Sequence, residues 1–400
     1  MLSFELSEDE QEIADAAEKF ASREIRPLVL RREWLDDHNA RFPWDIFEKA
    51  ADMGLKNLTV PMKYGGLEAS ISLACIVAEK IAKADAGVAI VMGHWWKECR
   101  LIANAGSQEQ QQWFFPEFIN DKRYMLATTM SESRHGSDHH LPYENFNLQT
   151  TAVMKGDSWV INGSKVFISN GAVARLYLTY ATTDTTKNFV DGTSCFLIPR
   201  DTPGISIGSI FDKMGLRLAN TAEVIFQNCQ IPKKNLLGAL NRGIENNKRR
   251  ARMGNIMAGC YAIGCAEAAY EESVEYSRSR VQGGKPIIEH QAVGLKLARM
   301  RTLIEAARSL LYRACWNADN NPAYDPSIST MARFFAAEAA KEVAITSLEL
   351  FGGNGVMLDV PIQKHVRDTL CCLHLDGTQD IQLLKLHNAL LGQTENNNRL

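Results

Sequence analysis

The sequence lacks features that several large classes of protein require. Lys and Arg number 44 against 47 Asp and Glu, so the net charge of -3 offers no basic excess for nucleic-acid binding. No stretch reaches the ~18 apolar residues of a membrane span, and the acidic first residues do not resemble a signal peptide. The nine cysteines are scattered, odd in number and without a CxxC pair. We therefore expect an intracellular, cytoplasmic protein with no membrane span, metal site or nucleic-acid partner.

Common catalytic and nucleotide-binding motifs are also absent. The chain has no GxGxxG that opens a βαβ unit, no GxxxxGK[ST], no HExxH and no GxSxG. It shows no internal repeat either. We therefore expect ligands to bind between domains, where cofactor sites tend to occur.

The first third of the chain has the spacing of amphipathic helices. A capping box at 7–10 precedes the first run of helical spacing, and Pro27 is expected to end it. Pro43 can open a second helix, whose expected apolar face includes Met53 and which Gly54 would end. This pattern predicts a helical domain over residues 1–124.

The rest of the chain changes its pattern twice. Short β-branched and aromatic runs predict an antiparallel β domain over 125–238, in which Asn162 and Gly163 would form the turn of a hairpin. Long runs of helical spacing over 239–400 predict a four-helix bundle. The expected fold class is α+β, with these three domains in order.

Several short segments follow a known pattern in order and spacing. They are M-S-E-S-R-H-G-S-D at 130–138, K-V-F-I-S-N-G at 165–171, K-M-G-L-R at 213–217, Arg280 with Gln291, E-L-F-G-G-N-G at 349–355 and L-D-G-T-Q-D-I-Q at 375–382. Together they resemble the acyl-CoA dehydrogenase family of flavoproteins, over about residues 4–393. The resemblance implies the three-domain fold described above.

The resemblance also implies FAD as the cofactor. Phe167 stands where an aromatic ring shields one side of the flavin, and Ser169 where a hydroxyl bonds near its N5. Arg280 corresponds to a residue that reaches the FAD diphosphate of a neighbouring subunit, a task that suits the planar fork of a guanidinium. The implied FAD contacts are Met130, Ser131, Ser137, Phe167, Ile168, Ser169, Arg280, Gln291, Glu349, Gly352, Gly353, Thr378 and Asp380.

Asp376 stands at the position of the family's catalytic base. The resemblance implies that this carboxylate removes the α-proton of an acyl-CoA while the β-hydrogen leaves as hydride to flavin N5. Asp reaches about 1.5 Å less far than the usual Glu, and a ~1 Å misplacement can cost about a hundredfold in rate. A cyclic or branched acyl group that sits closer would restore the contact. Alternatively, Asp376 and Gly377 form only a turn.

The implied substrate contacts are Ser137, Arg252, Asn255 and Gly377. Some family members carry their catalytic base in a Glu-Arg pair on a helix instead. The corresponding positions here are Gly254 and Asn255, so this chain lacks both that alternative base and its Arg. Arg249, Arg250 and Arg252 either bind CoA phosphates or form a solvated helix face. His94, Trp95 and Trp96 either line the acyl pocket or pack in the core.

The resemblance further implies an electron-transferring flavoprotein as electron acceptor and a homotetramer or dimer. Two other interpretations stay open. The scaffold could run a different reaction, such as 1,4-dehydrogenation, enoyl-CoA reduction or oxidation with oxygen. It could also be a non-catalytic subunit of a heteromer, which the departures from the family pattern at Asp376, Asp380, Glu349, Gly283 and Asn255 would favour.

Overall fold

Helices fill the first part of the chain in this computed structural model, which describes residues 6–137, 146–321 and 323–391. Ser7 caps the first helix through the predicted capping box with Glu10. The helices of this region are α1 Glu8–Phe20, α2 Arg26–Arg32, α3 His38–Arg41, α4 Trp44–Asp52, α5 Ile71–Ala82, α6 Ala86–Ala105 and α7 Gln108–Asn120.

Two local predictions in this region are wrong. The chain stays helical past α1, through a π-helical segment at Ala21–Ile25, and Pro27 lies in the first turn of α2, where its missing N–H is not needed. Met53 follows α4 and is 48% exposed, because it lies beyond the buried face of that helix. Gly54 does end α4, at a φ of 81°.

The middle of the chain forms one mixed β-sheet. Its strands are β1 Met125–Thr129, β2 Thr151–Lys155, β3 Ser158–Ser169, β4 Ala174–Thr182, β5 Thr193–Pro199, β6 Ile205–Ile210, β7 Thr221–Pro232 and β8 Leu236–Leu237, with a short helix α8 Phe189–Gly192 before β5. The strand order is β6-β7-β3-β2-β4-β5-β8, and β1 also pairs with β4. Most pairs are antiparallel, as predicted, but β1 runs parallel to β4 and β2 touches β4 in parallel at one residue pair.

The predicted hairpin turn at Asn162 and Gly163 is wrong. Both residues lie inside β3, which pairs with β7 on either side of them across a bulge. Glycine is required there because a Cβ at Gly163 would overlap the side chain of Thr150. The turn that joins β2 to β3 lies instead at Gly156, where φ is 58°.

Long helices return after the sheet. They are α9 Gly243–Ser279, α10 Gln291–Asn320, α11 Pro326–Phe351, α12 Ile362–Cys372 and α13 Gln379–Leu390, with a small hairpin of β9 Val281–Gln282 and β10 Lys285–Pro286 after α9. Helices α9, α10 and α11 pack on one another, and α5 and α6 pack on α9. The helical bundle and the α+β class are confirmed, whereas α12 was not predicted. The domain boundaries themselves stay a prediction.

A buried ion pair joins the three parts of the chain. Lys364 on α12 lies 2.7 Å from Asp85 at the start of α6 and also pairs with Asp368. Asp368 in turn accepts a hydrogen bond of 2.6 Å from the backbone N–H of Leu216, in the loop between β6 and β7. Among the described residues, no helix is long and apolar enough to cross a membrane.

Candidate active site

Asp376 lies where a loop meets two helices. The loop joins α12 to α13, and its backbone is left-handed at Asp376, with φ of 50°, and at Gly377, with φ of 101°. Such a conformation costs a non-glycine residue about 1 kcal/mol or more, and it tends to occur at functional sites. A Cβ at Gly254 of α9 would lie 3.5 Å from Oδ2 of Asp376 and 3.6 Å from Cδ of Lys97 on α6.

Arg333 on α11 holds the backbone of this loop. Its buried guanidinium donates to the carbonyl oxygen of Asp376 at 2.9 Å, to that of Gly377 at 2.6 Å and to that of Leu375. Gln382 of α13, also buried, donates to the carbonyl oxygen of Asp376 at 3.5 Å. Sequence analysis missed Arg333, because no motif in the chain marks it.

Positive charges keep the carboxyl group of Asp376 ionised. Asp376 is exposed to solvent, although charged groups of three helices lie near its carboxyl group. Burial raises the pKa of Asp376, but Lys97, Arg250 and Arg333 together outweigh burial and hold that pKa well below its usual range. The backbone N–H of Asp376 donates to no described residue, so it is free to meet a ligand.

A group of charged and polar side chains lies beside Asp376, and we call it the α6–α9 charge cluster. It consists of His94, Lys97 and Glu98 on α6 and Arg250 on α9. Glu98 lies 3.2 Å from Nδ1 of His94 and 3.7 Å from Nη1 of Arg250. Burial raises the pKa of Glu98, but Arg250 and His94 outweigh it and leave that pKa below its usual value. Burial lowers the pKa of His94, although Glu98 opposes that shift.

The residues weighed as substrate contacts differ in their surroundings. Arg250 is half-buried, with its side chain 10% exposed beside Glu98, so it does not form a solvated helix face. Arg252 is exposed, and its guanidinium lies 4.5 Å from the ring centre of Tyr324. Asn255 on α9 and Ser137 are half-buried, and Asp138 lies outside the described residues. Trp95 and Trp96 are fully buried, so they pack in the core.

Two predicted flavin segments meet through a buried ion pair. Lys165 of β3 donates to Glu132 at 2.8 Å and to the carbonyl oxygen of Met130 at 3.0 Å. The backbone N–H of Val166 donates to the carbonyl oxygen of Ser131 at 2.9 Å. Burial lowers the pKa of Lys165 to about 8, although Glu132 opposes that shift. The segment at 130–132 is thereby fixed against β3.

Phe167 presents its ring to solvent from a strained backbone. It lies in a bulge of β3 with φ of 57° and is 68% exposed, and its ring centre is 5.0 Å from that of Phe211. A bulky residue rarely adopts this backbone, so the exposed ring points to a function. Ile168 is buried and Ser169 half-buried beside it. A planar flavin ring fits against such a surface.

The other predicted FAD contacts lie at one end of the helical bundle. Arg280 directly follows α9 and Gln291 begins α10; both are exposed, and the β9–β10 hairpin joins them. Glu349 pairs with Lys296 of α10 at 2.7 Å. No atom lies within 4 Å of a Cβ placed on Gly352 or Gly353. An open glycine backbone and a guanidinium are both groups that suit a diphosphate.

The predicted FAD contacts thus fall into separate groups. Within the described ranges, the group around Arg280 makes no hydrogen bond or ion pair with the segments around Phe167. Thr378 and Asp380 begin α13 next to Asp376, both exposed, and the Thr378 side chain does not cap that helix. Among the described residues, Arg333 joins the Asp376 loop to the helical bundle.

Comparison with known proteins covers nearly the whole chain. Models for the N-terminal, middle and C-terminal domains of acyl-CoA dehydrogenase match residues 7–122, 127–229 and 241–391. An acyl-CoA dehydrogenase of Bacillus subtilis is 34% identical, over 94% of this chain and 96% of that protein. A cyclohexane-1-carbonyl-CoA dehydrogenase of Syntrophus aciditrophicus is 33% identical, over 94% and 95%.

Solved structures agree with these matches. The butyryl-CoA dehydrogenase of Megasphaera elsdenii superposes with a TM-score of 0.90 at 30% identity, over 98% of this chain and 100% of that one. The fold, the matched domains and the relatives all lead to one assignment. The chain belongs to the acyl-CoA dehydrogenase family, as an oxidoreductase that acts on acyl-CoA with FAD as its cofactor.

Proposed function

We propose that this enzyme introduces a C=C bond into an acyl-CoA thioester, with Asp376 as the base that takes the α-proton. The observation that carries the proposal is the loop of Asp376, whose backbone Arg333 fixes and whose carboxyl pKa the neighbouring cations lower. The free backbone N–H of Asp376 would donate to the thioester carbonyl and so acidify the α-carbon. Bound FAD supplies the acceptor for the β-hydride.

Substrate binding would prepare Asp376 for its task. An acyl group that fills the cleft displaces water, and desolvation raises the pKa of a carboxylate. The difference between the pKa of Asp376 and that of the weakly acidic C–H then becomes smaller, as general base catalysis requires. Gly377, Ser137, Asn255 and Arg252 are the proposed substrate contacts beyond Asp376, and Phe167, Ser169, Thr378 and Arg280 are among the proposed contacts to FAD.

A cyclic or branched acyl group is the proposed substrate class. The shorter side chain of Asp376 leaves room beside the carboxylate, and Gly254 adds to that room because it has no side chain. The similarity to a cyclohexane-1-carbonyl-CoA dehydrogenase supports this choice. A straight short chain would leave the α-carbon about 1 Å from the best position, at a cost of roughly a hundredfold in rate.

The assembly is part of the proposal. Arg280 corresponds to a residue that reaches the FAD of a neighbouring subunit in the family that the sequence resembles, which supports a site completed by a second copy in a homotetramer or dimer. Exposed apolar side chains of the bundle, such as Leu295 and Leu390, suit such an interface. We further propose an electron-transferring flavoprotein as acceptor and the cytoplasm as location.

An anaerobic absorption spectrum tests this function. Purified protein should show a flavin band that a cyclic or branched acyl-CoA bleaches, and Asp376→Ala should keep the band and lose the bleaching. A flavin band that no acyl-CoA bleaches would instead indicate a different reaction on this scaffold, such as enoyl-CoA reduction. Protein that binds no FAD would indicate a non-catalytic subunit.

A further inference from the structure

A small pocket lies between helix α3 and the segment that joins β6 to β7. Helix α3 contributes His38 and Arg41 to its lining, and the segment after β6 contributes Phe211 and Arg217. The ring centre of Phe211 lies 5.0 Å from that of Phe167. The pocket is therefore one aromatic ring away from the proposed flavin contact, and its lining residues are not among the predicted FAD or substrate contacts.

Two guanidinium groups of the pocket wall share one carboxylate. Nη1 of Arg41 donates to Oδ1 of Asp212, and Nη2 of Arg217 lies 3.3 Å from the same oxygen. The side chains of Arg41 and Arg217 are 5% and 12% exposed, whereas that of Asp212 is 62% exposed. Two like charges held this close repel each other unless anions offset them. Asp212 supplies one negative charge for the two.

The other partners of these arginines are neutral carbonyl oxygens. Arg41 donates to the carbonyl oxygen of Leu35 at 2.7 Å, and Arg217 donates to those of Glu33 and Lys213, each at 2.8 Å. A carbonyl oxygen satisfies an N–H donor but does not neutralise the charge. Within the described ranges, Nη2 of Arg41 donates to no acceptor. The wall thus keeps both an excess charge and a spare donor.

A third cation lies close to the same wall. Nζ of Lys213 donates to the carbonyl oxygen of Ala219, a pocket residue, at 2.7 Å. Burial lowers the pKa of Lys213 to about 8, so its ammonium group is still charged at pH 7. Two nearby carboxylates are engaged elsewhere, since Glu33 pairs with Arg367 at 2.8 Å and Asp37 caps α3. Positive charge therefore exceeds negative charge around the pocket.

An amide adds a further donor to the lining. Asn220 is 8% exposed, and its Oδ1 accepts a hydrogen bond of 2.9 Å from the backbone N–H of Ala172. Its Nδ2 donates to no residue in the part of the chain that the structure describes. Pockets that bind small ligands bring together a few such polar groups. A phosphate group suits this set, because guanidinium groups bind it as planar forks and its double charge matches the excess.

We propose that this pocket binds a phosphate group, held by Arg41, Arg217 and Asn220. The ligand is inorganic phosphate or a small phosphate ester, and the phosphate competes with the carboxylate of Asp212 for the two guanidinium groups. The inference goes beyond the proposed function, since it concerns neither the acyl-CoA nor its oxidation.

Calorimetric titration of the FAD-loaded enzyme tests the proposal. Inorganic phosphate and glycerol 3-phosphate would be added in turn, with sodium chloride to hold the ionic strength constant, since screening alone affects exposed charges. We expect saturable binding with one site per chain. Binding of phosphate alone identifies the free ion as the ligand, and tighter binding of glycerol 3-phosphate identifies an ester. The absence of saturable binding for both overturns the proposal.

Variants assign the binding to the pocket. Arg41→Gln and Arg217→Gln should each weaken it at least about tenfold, because each removes a charged fork. Arg299→Gln, on the exposed side of α10, is the control and should change nothing. Unchanged binding in the two folded pocket variants overturns the assignment.

Asp212→Asn gives a test that does not depend on buried residues. Asp212 is exposed, so its replacement should leave the fold intact, and removal of the competing carboxylate should tighten phosphate binding several-fold. Asp191→Asn is the matched control, because Asp191 is exposed and lies 3.9 Å from Arg242, away from the pocket. Weaker or equal phosphate binding by Asp212→Asn would contradict the proposed competition and so overturn the site.

Discussion

The guanidinium of Arg333 donates a 2.9 Å hydrogen bond to the carbonyl oxygen of Asp376, and it also binds the carbonyl groups on either side. It touches the backbone of the loop and leaves the carboxylate of Asp376 free to face the cleft. Arg333 is therefore a positioning residue, which acts through Asp376.

Arg333→Gln should slow flavin reduction by the substrate about a hundredfold, since a shift of ~1 Å in a catalytic group has that effect. The substrate dissociation constant should change far less than the rate, and Arg333→Lys should fall between. Stopped-flow reduction of FAD-loaded protein separates the two constants. Arg299→Gln is the control, because Arg299 pairs with Glu342 on the exposed side of α10. An unchanged rate in the folded variant would leave Arg333 with a structural role alone.

The pH dependence of kcat/KM should reveal the charges around Asp376. Because Lys97 and Arg250 outweigh burial and depress its pKa, the carboxylate stays ionised as the pH falls to its ordinary value, about 4. The wild-type profile should show no acid limb from Asp376 above that value. Lys97→Met removes one of these charges, so an acid limb should move to higher pH. If the acid limb lies at the same pH in the wild type and in Lys97→Met, Lys97 does not lower the pKa of Asp376.

The ion pair of Lys165 and Glu132 should matter for stability. Lys165→Met leaves Glu132 buried without its cation, which should cost about 3–5 kcal/mol of unfolding free energy. Adding Glu132→Gln should recover part of that loss, because the second change removes the unpaired charge. Denaturant unfolding of the three variants measures both effects. The surface variant Lys155→Met should stay within ~0.5 kcal/mol of the parent.

We expect Phe167 to lower the stability of the FAD-free protein and to strengthen its binding of FAD. Phe167→Gly removes a strained residue at φ of 57°, so the FAD-free protein should gain about 1 kcal/mol. The same variant should bind FAD at least tenfold more weakly, because it loses the ring proposed to cover the flavin. Unfolding of the FAD-free form and FAD titration give the two numbers. A lower free energy of unfolding for Phe167→Gly, together with an unchanged FAD affinity, would contradict the proposed contact between Phe167 and the flavin.

The sequence predicted most of the long helices, but it did not predict where the chain departs from local rules. Helical periodicity and caps located α1, α4 and α9 to α11, because those signals are local. The turn expected at Asn162 and Gly163 failed because Gly163 is needed for close contact with Thr150, a neighbour that the local sequence does not reveal. Pro27 failed as a helix end because the chain continues through a π-helical segment and Pro27 falls in the first turn of the next helix, α2.

The same limit applies to the site. Asp376 and Phe167 could be named from motifs, since each lies within a recognisable segment. Lys97 and Arg333 could not, and Arg250 was named only with two open alternatives, because the roles of these residues depend on three helices that meet at the loop of Asp376. Arg250 illustrates the point, since its sequence neighbours Arg249 and Arg252 are both exposed, whereas its own side chain is only 10% exposed.

The measurement that tests the central claim most directly is anaerobic flavin reduction by Asp376→Asn beside the wild type, with the acyl-CoA that bleaches the wild type fastest. Asn keeps the size of the side chain and the backbone N–H but cannot accept the α-proton. The account predicts a variant that binds FAD and acyl-CoA normally and loses bleaching by at least a thousandfold. Bleaching by this variant at a rate near that of the wild type would contradict the assignment of Asp376 as the base.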